Sequence, residues 1–316
     1  MHLVQFSRRA IVGALLAGTG CLAIGKAPVP TLTVDHAKGR AEVPARPARI
    51  VVYDLGALDT LYTLGVPVAG GPKAEMPSWL QDYAARHTVV GSLFQPDYDA
   101  LSKIRPDLII VGGRTSAKYD VLSKIAPTLD LSVKGTQMLQ DIERNITTLA
   151  LLTGREQRGQ ALVAQIRQDI AELREAASQA APGVLLMAIN ERIAPQAPGS
   201  RFGFLFDVFG TRSAITAKDM PARGTPYTFD DVAHLDPEWI YVIDRNTATG
   251  SAAGGGEIIP SEKVFDNPQV KGTRAGRQGQ VVFLDPKGWY LMGSTGPTAL
   301  LGNVAQLKQA YAAARR

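Results

Sequence analysis

Short runs rich in branched apolar residues recur along the chain at positions 49–54, 107–113, 183–190, 238–244 and 280–285. Between them lie segments whose apolar residues fall three and four apart, predicting helices over 56–65, 97–105, 117–126, 136–152 and 297–315. Strand-like runs alternating with helical patterns predict parallel α/β units, and the alternation excludes an all-β or all-α chain.

One stretch breaks the rhythm. Residues 154–178 contain no proline and place Leu162, Ile166, Ile170, Leu173 and Ala177 at helical spacing. Thr153 and Glu156 predict a capping box at its start, and Ala181-Pro182-Gly183 a stop. A helix of that length spans roughly 35 Å, enough to cross a small domain. It sits midway along the chain and lacks the Gly/Ser composition of a flexible linker. The expected organisation is therefore an N-terminal α/β lobe over 26–153, a rigid linker helix over 154–181 and a C-terminal α/β lobe over 182–316, both with mainly parallel sheets. The alternative is an ordinary surface helix within one domain. The Ser251 to Glu257 stretch, with Gly254, Gly255 and Gly256, predicts a mobile loop that either flanks a cleft or is a surface insertion.

Two strand candidates share one plan. Asp99 precedes Pro106 by seven residues and Arg114 follows it by eight; Asp230, Pro237 and Arg245 repeat the spacing. In parallel sheets the ligand crevice lies beyond the carboxyl ends of the strands, where both arginines would fall. Arg201, in the turn Pro198-Gly199-Ser200-Arg201-Phe202-Gly203, belongs with them. Guanidinium groups stay charged and donate in a planar fork, so three of them suit a ligand with delocalised negative oxygens. For any one arginine a surface ion pair is the simpler explanation; the matched pair favours a site. Asp99 and Asp230 are placed at helix starts on the cleft side, where each could serve as a cap or the two could grip matched basic sites on a partner.

Trp289 and Tyr290 follow the last strand candidate and would reach the same rim. A phenol can bond a ligand oxygen or, as phenolate, bind ferric ion, whereas core packing is the competing explanation for Trp289. No Gly-x-Ser-x-Gly, Ser-x-x-Lys, P-loop or His-Glu-x-x-His motif is present. His36, His87 and His234 are scattered among polar neighbours and read as solvated, which argues against a dedicated zinc or manganese site.

Composition narrows the class further. With 316 residues, 45% of them hydrophobic, the chain can bury one large core or two ordinary ones. The net charge of +5 falls to about +3 without a leader spanning 1–25, and no basic stripe interleaved with aromatics points to nucleic acid. That leader has Ser7-Arg8-Arg9, an apolar run from Ala10 to Leu16 and a small-residue end near Gly25, the pattern of a cleavable twin-arginine export signal. Cys21 is the sole cysteine, so no internal disulfide forms; with Gly18 three residues before it, lipid anchoring is disfavoured. A soluble extracytoplasmic protein is expected.

These residues together resemble the class III, helical-backbone substrate-binding proteins of ABC importers, in the branch for ferric catecholate siderophores of the enterobactin and petrobactin kind. The resemblance rests on Arg49-Ile50-Val51-Val52-Tyr53-Asp54, Arg105-Pro106-Asp107 with Gly113-Arg114, Ile125-Ala126-Pro127-Thr128, Ser200-Arg201-Phe202-Gly203, Ile243-Asp244-Arg245-Asn246, and Leu284-Asp285-Pro286 with Trp289-Tyr290. It implies that Arg114, Arg201 and Arg245 surround the ferric catecholate and that Tyr290 can complete iron coordination. The family's partnering histidine is replaced by Arg223, which cannot ligate iron and favours a fully wrapped or more anionic chelate. Asp99 and Asp230 match the acidic residues that dock such proteins on the permease.

The expected function is a monomeric periplasmic binding protein, not an enzyme, with no intrinsic cofactor and Fe(III) carried inside the siderophore. Its partners would be the ferric siderophore and an inner-membrane ABC permease. Alternatives are a haem, cobalamin or ferric citrate binder on the same fold, or an exported enzyme acting on anionic substrates, for which only Tyr290 offers a reactive group.

Overall fold

The structure, a computed structural model, describes residues 30–315 other than 223, 253 and 254. The chain opens with an antiparallel hairpin, β1 (Thr31–His36) and β2 (Gly39–Pro44). Five strands then form a wholly parallel sheet: β3 (Ile50–Val52), β4 (Gly70–Lys73), β5 (Thr88–Ser92), β6 (Leu108–Val111) and β7 (Thr128–Asp130), in the order β5-β4-β3-β6-β7. A second sheet holds β8 (Gly183–Ile189), β9 (Arg192–Gln196), β10 (Trp239–Asp244) and β11 (Val281–Leu284), in the order β11-β10-β8-β9. Its pairs are parallel except β8 with β9, so the sheets are mainly parallel, as the sequence predicts.

Central strands of this kind are covered on both faces and are therefore apolar throughout. In β3 and β6, Ile50, Val52, Leu108 and Ile110 pack to one side, while Val51, Ile109 and Val111 join Tyr53 and Leu122 on the other. In β8 and β10 the split is Leu185, Tyr241 and Ile243 against Val184, Leu186, Ile240 and Val242. Burying each such side chain contributes about 1.5–3 kcal/mol, which lets strands of three or four residues hold their place.

The helix at the middle of the chain runs from Glu156 to Ser178, 23 residues, and buries Ile166, Ile170, Leu173 and Ala177 against the helices Met138–Thr153 and Pro297–Ala314. It begins differently from the sequence expectation. Thr153 is the last residue of the preceding helix, and its hydroxyl donates back to the Leu149 carbonyl at 2.6 Å. Gly154 turns the chain at φ +67°, so Thr153 and Glu156 form no capping box. Glycine there reaches the left-handed conformation that ends a helix without the Cβ penalty, and this outweighs the cap signature.

The two halves are also tied by Asp59, fully buried in the helix Leu55–Leu64. Its Oδ2 accepts from the backbone amides of Thr298 at 2.9 Å and Ala299 at 3.2 Å, and its Oδ1 from the Trp79 indole at 3.1 Å. A carboxylate from the N-terminal half thus satisfies the free amides at the start of the last helix. No helix among the described residues is long and apolar enough to cross a membrane.

Candidate functional site

The first sheet changes direction at one point in its strand order, with β4 on one side of β3 and β6 on the other; in the second, the parallel strands β8 and β10 end side by side. The carboxyl ends of strands diverging in this way leave a crevice. A cleft of about 1100 Å³ opens there between the halves, and Arg114, Arg201, Arg245 and Tyr290 all line it.

Arg114 follows β6 in a tight 3₁₀ turn over Gly113–Lys118. Gly112 is required, because a Cβ there would come within 2.6 Å of the Asp54 carboxylate, and Gly113 adopts φ +46°. A buried acid holds the turn in place. Asp130 accepts from Ser116 and from the Ser132 hydroxyl, which in turn accepts the Gly113 amide at 3.0 Å. From this support both terminal nitrogens of Arg114 reach across to the Leu291 carbonyl, each at 3.4 Å. Those distances are at the long limit of a hydrogen bond and leave most of the fork's donor capacity unspent. Burial and the neighbouring Arg201 charge push the Arg114 guanidinium down from its usual value, with Asp54 opposing them; an arginine nonetheless remains charged.

Arg201 rides on the turn before the helix Phe204–Asp207, where the Asp207 carboxylate accepts the Gly199 amide at 2.7 Å. Its guanidinium carbon lies 4.7 Å from the Phe202 ring centroid and 5.0 Å from that of Tyr290, and it donates to the Tyr290 carbonyl at 3.3 Å. Arg245 opens the helix Arg245–Thr249 directly after β10 and donates to the Asn246 side chain at 2.9 Å. Among the described residues none of the three arginines forms an ion pair, although the molecule has such pairs elsewhere. The cleft therefore carries an excess of positive charge, partly removed from water.

Tyr290 and Trp289 part company. They occupy a wide π-type turn over Lys287–Leu291, a form enriched at functional sites. The turn sends Tyr290 to the cleft, half-buried and stacked on Phe202 at 5.7 Å, while Trp289 points inward with 0% exposure, stacked on Phe204 at 5.1 Å. The expectation that Trp289 meets the ligand is corrected: it is core, because an indole between Phe204 and Phe209 buries more apolar surface than the rim could offer.

Asp99 and Asp230 lie exposed in the first turns of the helices Tyr98–Ile104 and Phe229–Leu235, outside the cleft lining. The capping residues are Asp97 and Thr228, so capping does not account for either carboxylate. Of the described histidines, only His234 is exposed. The reading of all three as solvated is corrected: His36 is 6% exposed and accepts the Asp130 amide at 3.3 Å, and His87 is half-buried beside Gly71. Arg223, Cys21 and the export leader lie outside the described residues.

Three cleft residues escaped the sequence reading. Arg174, from the long helix, donates to the Val208 carbonyl at 2.7 Å; Phe94 stands 64% exposed at the rim; and Asp54 faces Arg114 from the end of β3. Asp54 had a legible signal, a carboxylate ending an apolar strand just before a helix. Burial pushes its pKa up, opposed by the Ala57 amide and by Arg114.

A family model described as periplasmic binding protein matches residues 50–287. The petrobactin-binding protein YclQ of Bacillus subtilis is 33% identical over 268 residues, covering 83% of each chain. The ferric-anguibactin-binding protein FatB of Vibrio anguillarum is 26% identical over 267 residues, covering 82% of this chain and 81% of the relative. The crystal structure of YclQ superposes with a TM-score of 0.81 over 89% of this chain and 99% of that one, at 32% identity. The periplasmic catecholate-siderophore binding protein VctP of Vibrio cholerae gives 0.80 over 89% and 100%, at 26% identity.

Proposed function

This chain belongs to the periplasmic binding protein family, and on that premise we propose that it captures an anionic ferric siderophore of the catecholate type and delivers it to an ABC importer. The observation that carries the reading is the convergence of Arg114, Arg201 and Arg245, from both halves, on one cleft without ion-paired partners among the described residues. Ferric tris-catecholate is a trianion with charge spread over its oxygens, the guest that three planar, charged donors fit. Desolvation in the cleft strengthens each such contact, and no bond is made or broken.

Within this reading Arg114 and Arg245 grip the chelate from the two sheets, Arg201 closes over it from the rim, and Tyr290 offers its phenol to a ligand oxygen or to the iron. Arg223, which by sequence takes the place of the family's partnering histidine, adds positive charge to the ligand-binding set. Asp99 and Asp230, matched in the two halves and exposed, dock on the permease. The leader with Ser7-Arg8-Arg9 directs export.

Titration of the purified chain with ferric tris-catecholate by calorimetry tests the reading. Micromolar or tighter binding that is lost in Arg114→Gln supports it, and no heat at that concentration overturns it. A haem or corrin absorption band retained on the purified protein would favour the other guests of this fold.

A further inference from the structure

The π-type turn over Lys287–Leu291 is firmly held within its own half. The Asp285 carboxylate accepts the Gly288 amide at 2.6 Å, the Asp285 carbonyl accepts the Trp289 amide at 3.0 Å, and the Gly288 carbonyl accepts the Ser294 amide at 3.1 Å. Trp289, buried against Phe204 and Phe209, pins its middle. None of these contacts fixes the turn relative to the N-terminal half. Yet Arg114 belongs to that half and has to meet Arg201 and Tyr290 across the cleft.

Lys287 makes the connection. Its Nζ reaches the segment after β4, where it donates to the Met76 carbonyl at 3.0 Å and lies 3.4 Å from the Glu75 carboxylate. The Lys287 side chain is only 28% exposed, so its ammonium has given up water and relies on these two acceptors. Met76 packs with Leu80 and Tyr83 in the N-terminal core, which makes its carbonyl a fixed point. Glu75 also lies against Gly250, where an added Cβ would stand 3.5 Å from its carboxyl group. Gly250 ends the helix that Arg245 begins. Two residues of the N-terminal half thus touch both the turn that bears Tyr290 and the helix that bears Arg245.

The ion pair with Glu75, taken alone, would contribute little, because half of that carboxylate is in water. The bond to Met76 differs: a charged donor meets a backbone acceptor at ordinary length, and the two groups belong to different halves. The Arg114 bonds to Leu291, at 3.4 Å each, are too long to set the spacing of the cleft by themselves. Asp59 and Thr63 join the halves through Thr298 and Ala299, at the start of the last helix, an element separate from the turn.

We propose that Lys287 is a positioning residue: by tethering the π-type turn to the Glu75–Met76 segment, it sets the separation at which Arg114, Arg201 and Tyr290 act on one guest. The part of this that concerns affinity rests on the siderophore reading; the part that concerns spacing does not. Without the tether the halves sample a wider range of separations. Fewer molecules then present all three groups together, and the apparent affinity falls by that fraction.

Nitroxide labels on Asp82→Cys and Glu262→Cys, exposed positions in opposite halves, report the spacing in a Cys21→Ser chain by double electron–electron resonance without ligand. Lys287→Met removes the donor at nearly the same side-chain length, and Lys287→Arg keeps both charge and donor. Lys287→Met is expected to broaden the distance distribution and to weaken calorimetric binding of ferric tris-catecholate about threefold or more. Lys287→Arg should reverse both changes. Unchanged spacing in Lys287→Met overturns the proposal whatever the affinity does, since weakening at fixed spacing would mean that the lysine merely attracts the anion. Altered spacing with unchanged affinity overturns it as well. No binding of ferric tris-catecholate by the wild type would overturn the siderophore reading and the affinity claim with it, while the spacing measurement on the free protein stands on its own.

Discussion

The guanidinium of Arg201 lies 5.0 Å from the centre of the Tyr290 ring and donates to the carbonyl of that same residue at 3.3 Å. One carbonyl further on, Leu291 receives Arg114 from the other half of the molecule. Two cations from opposite sides of the cleft are thus aimed by adjacent peptide groups of a single π-type turn. The turn supplies aim without neutralising charge, which is what an anion site needs before its guest arrives.

Arg201→Lys keeps the charge but loses the planar stack and the fork. Binding of ferric tris-catecholate is expected to weaken roughly tenfold, because lysine neither stacks on Phe202 and Tyr290 in this way nor donates in two fixed directions. Calorimetric titration checks it. An unchanged dissociation constant would show that charge alone matters at this position.

Ser132 acts on the ligand only through Arg114. Its hydroxyl receives the Gly113 amide at 3.0 Å and donates to the buried Asp130 carboxylate at 2.5 Å. Ser132→Ala removes one side-chain hydrogen-bond group at a half-buried site, so stability should fall by about 1 kcal/mol. Affinity is expected to fall several-fold as the 3₁₀ turn loses its anchor, while Ser132→Thr, which keeps the hydroxyl, restores it. Urea unfolding and titration on the same samples separate the two effects.

Much of this was legible from pattern alone. The strands β3, β6, β8, β10 and β11 are branched and apolar, so period and composition expose them, and the arginines at their ends follow from parallel topology. Elements held by context rather than composition were not. β4 reads Gly70-Gly71-Pro72-Lys73 and is a strand only because β3 and β5 pair with it on either side, with Gly70 fitting between Val90, Ile104 and Val51. The β1–β2 hairpin lies in a proline-bearing entry that masks its alternation. Trp289 and Tyr290 could not be assigned to opposite sides because a π-type turn shifts the facing of consecutive side chains. The capping signature at Thr153 and Glu156 was real as a pattern but lost to Gly154.

Asp59 gives stability an unusual pH dependence. Burial raises its pKa, opposed by its bonds to Thr298, Ala299 and Trp79. The folded state therefore holds the proton to higher pH than the unfolded chain does. Its favourable contribution to linkage is complete below the ordinary carboxylate pKa and is lost as pH rises from there through the raised folded value. Asp59→Asn cannot titrate, so the stability of the wild type relative to this variant should decline as pH is raised through that window and then level off. Denaturant melts of both proteins at a series of pH values measure the difference directly, and a difference that grew with pH would reverse the assignment.

Gly159 offers the sharpest test of how the long helix is seated. In an exposed helix, replacing glycine by alanine stabilises by about 1 kcal/mol, because alanine loses less backbone freedom on folding. Here a Cβ at position 159 would lie 2.5 Å from the Cβ of Ala150 on the neighbouring helix, with the Ile146 carbonyl at 3.7 Å. Two methyl carbons at that separation overlap heavily, and Ala150 is itself almost fully buried, so neither helix can yield without disturbing the core around Ile146 and Leu149. Overpacking of this kind typically costs about 1–3 kcal/mol, more than the propensity gain returns. Gly159→Ala is therefore expected to destabilise the protein, and the paired change Gly159→Ala with Ala150→Gly to recover part of the loss by moving the notch to the other helix. Equilibrium unfolding of the single and double variants decides it: a more stable single variant would mean that the two helices are not packed as closely as this geometry requires.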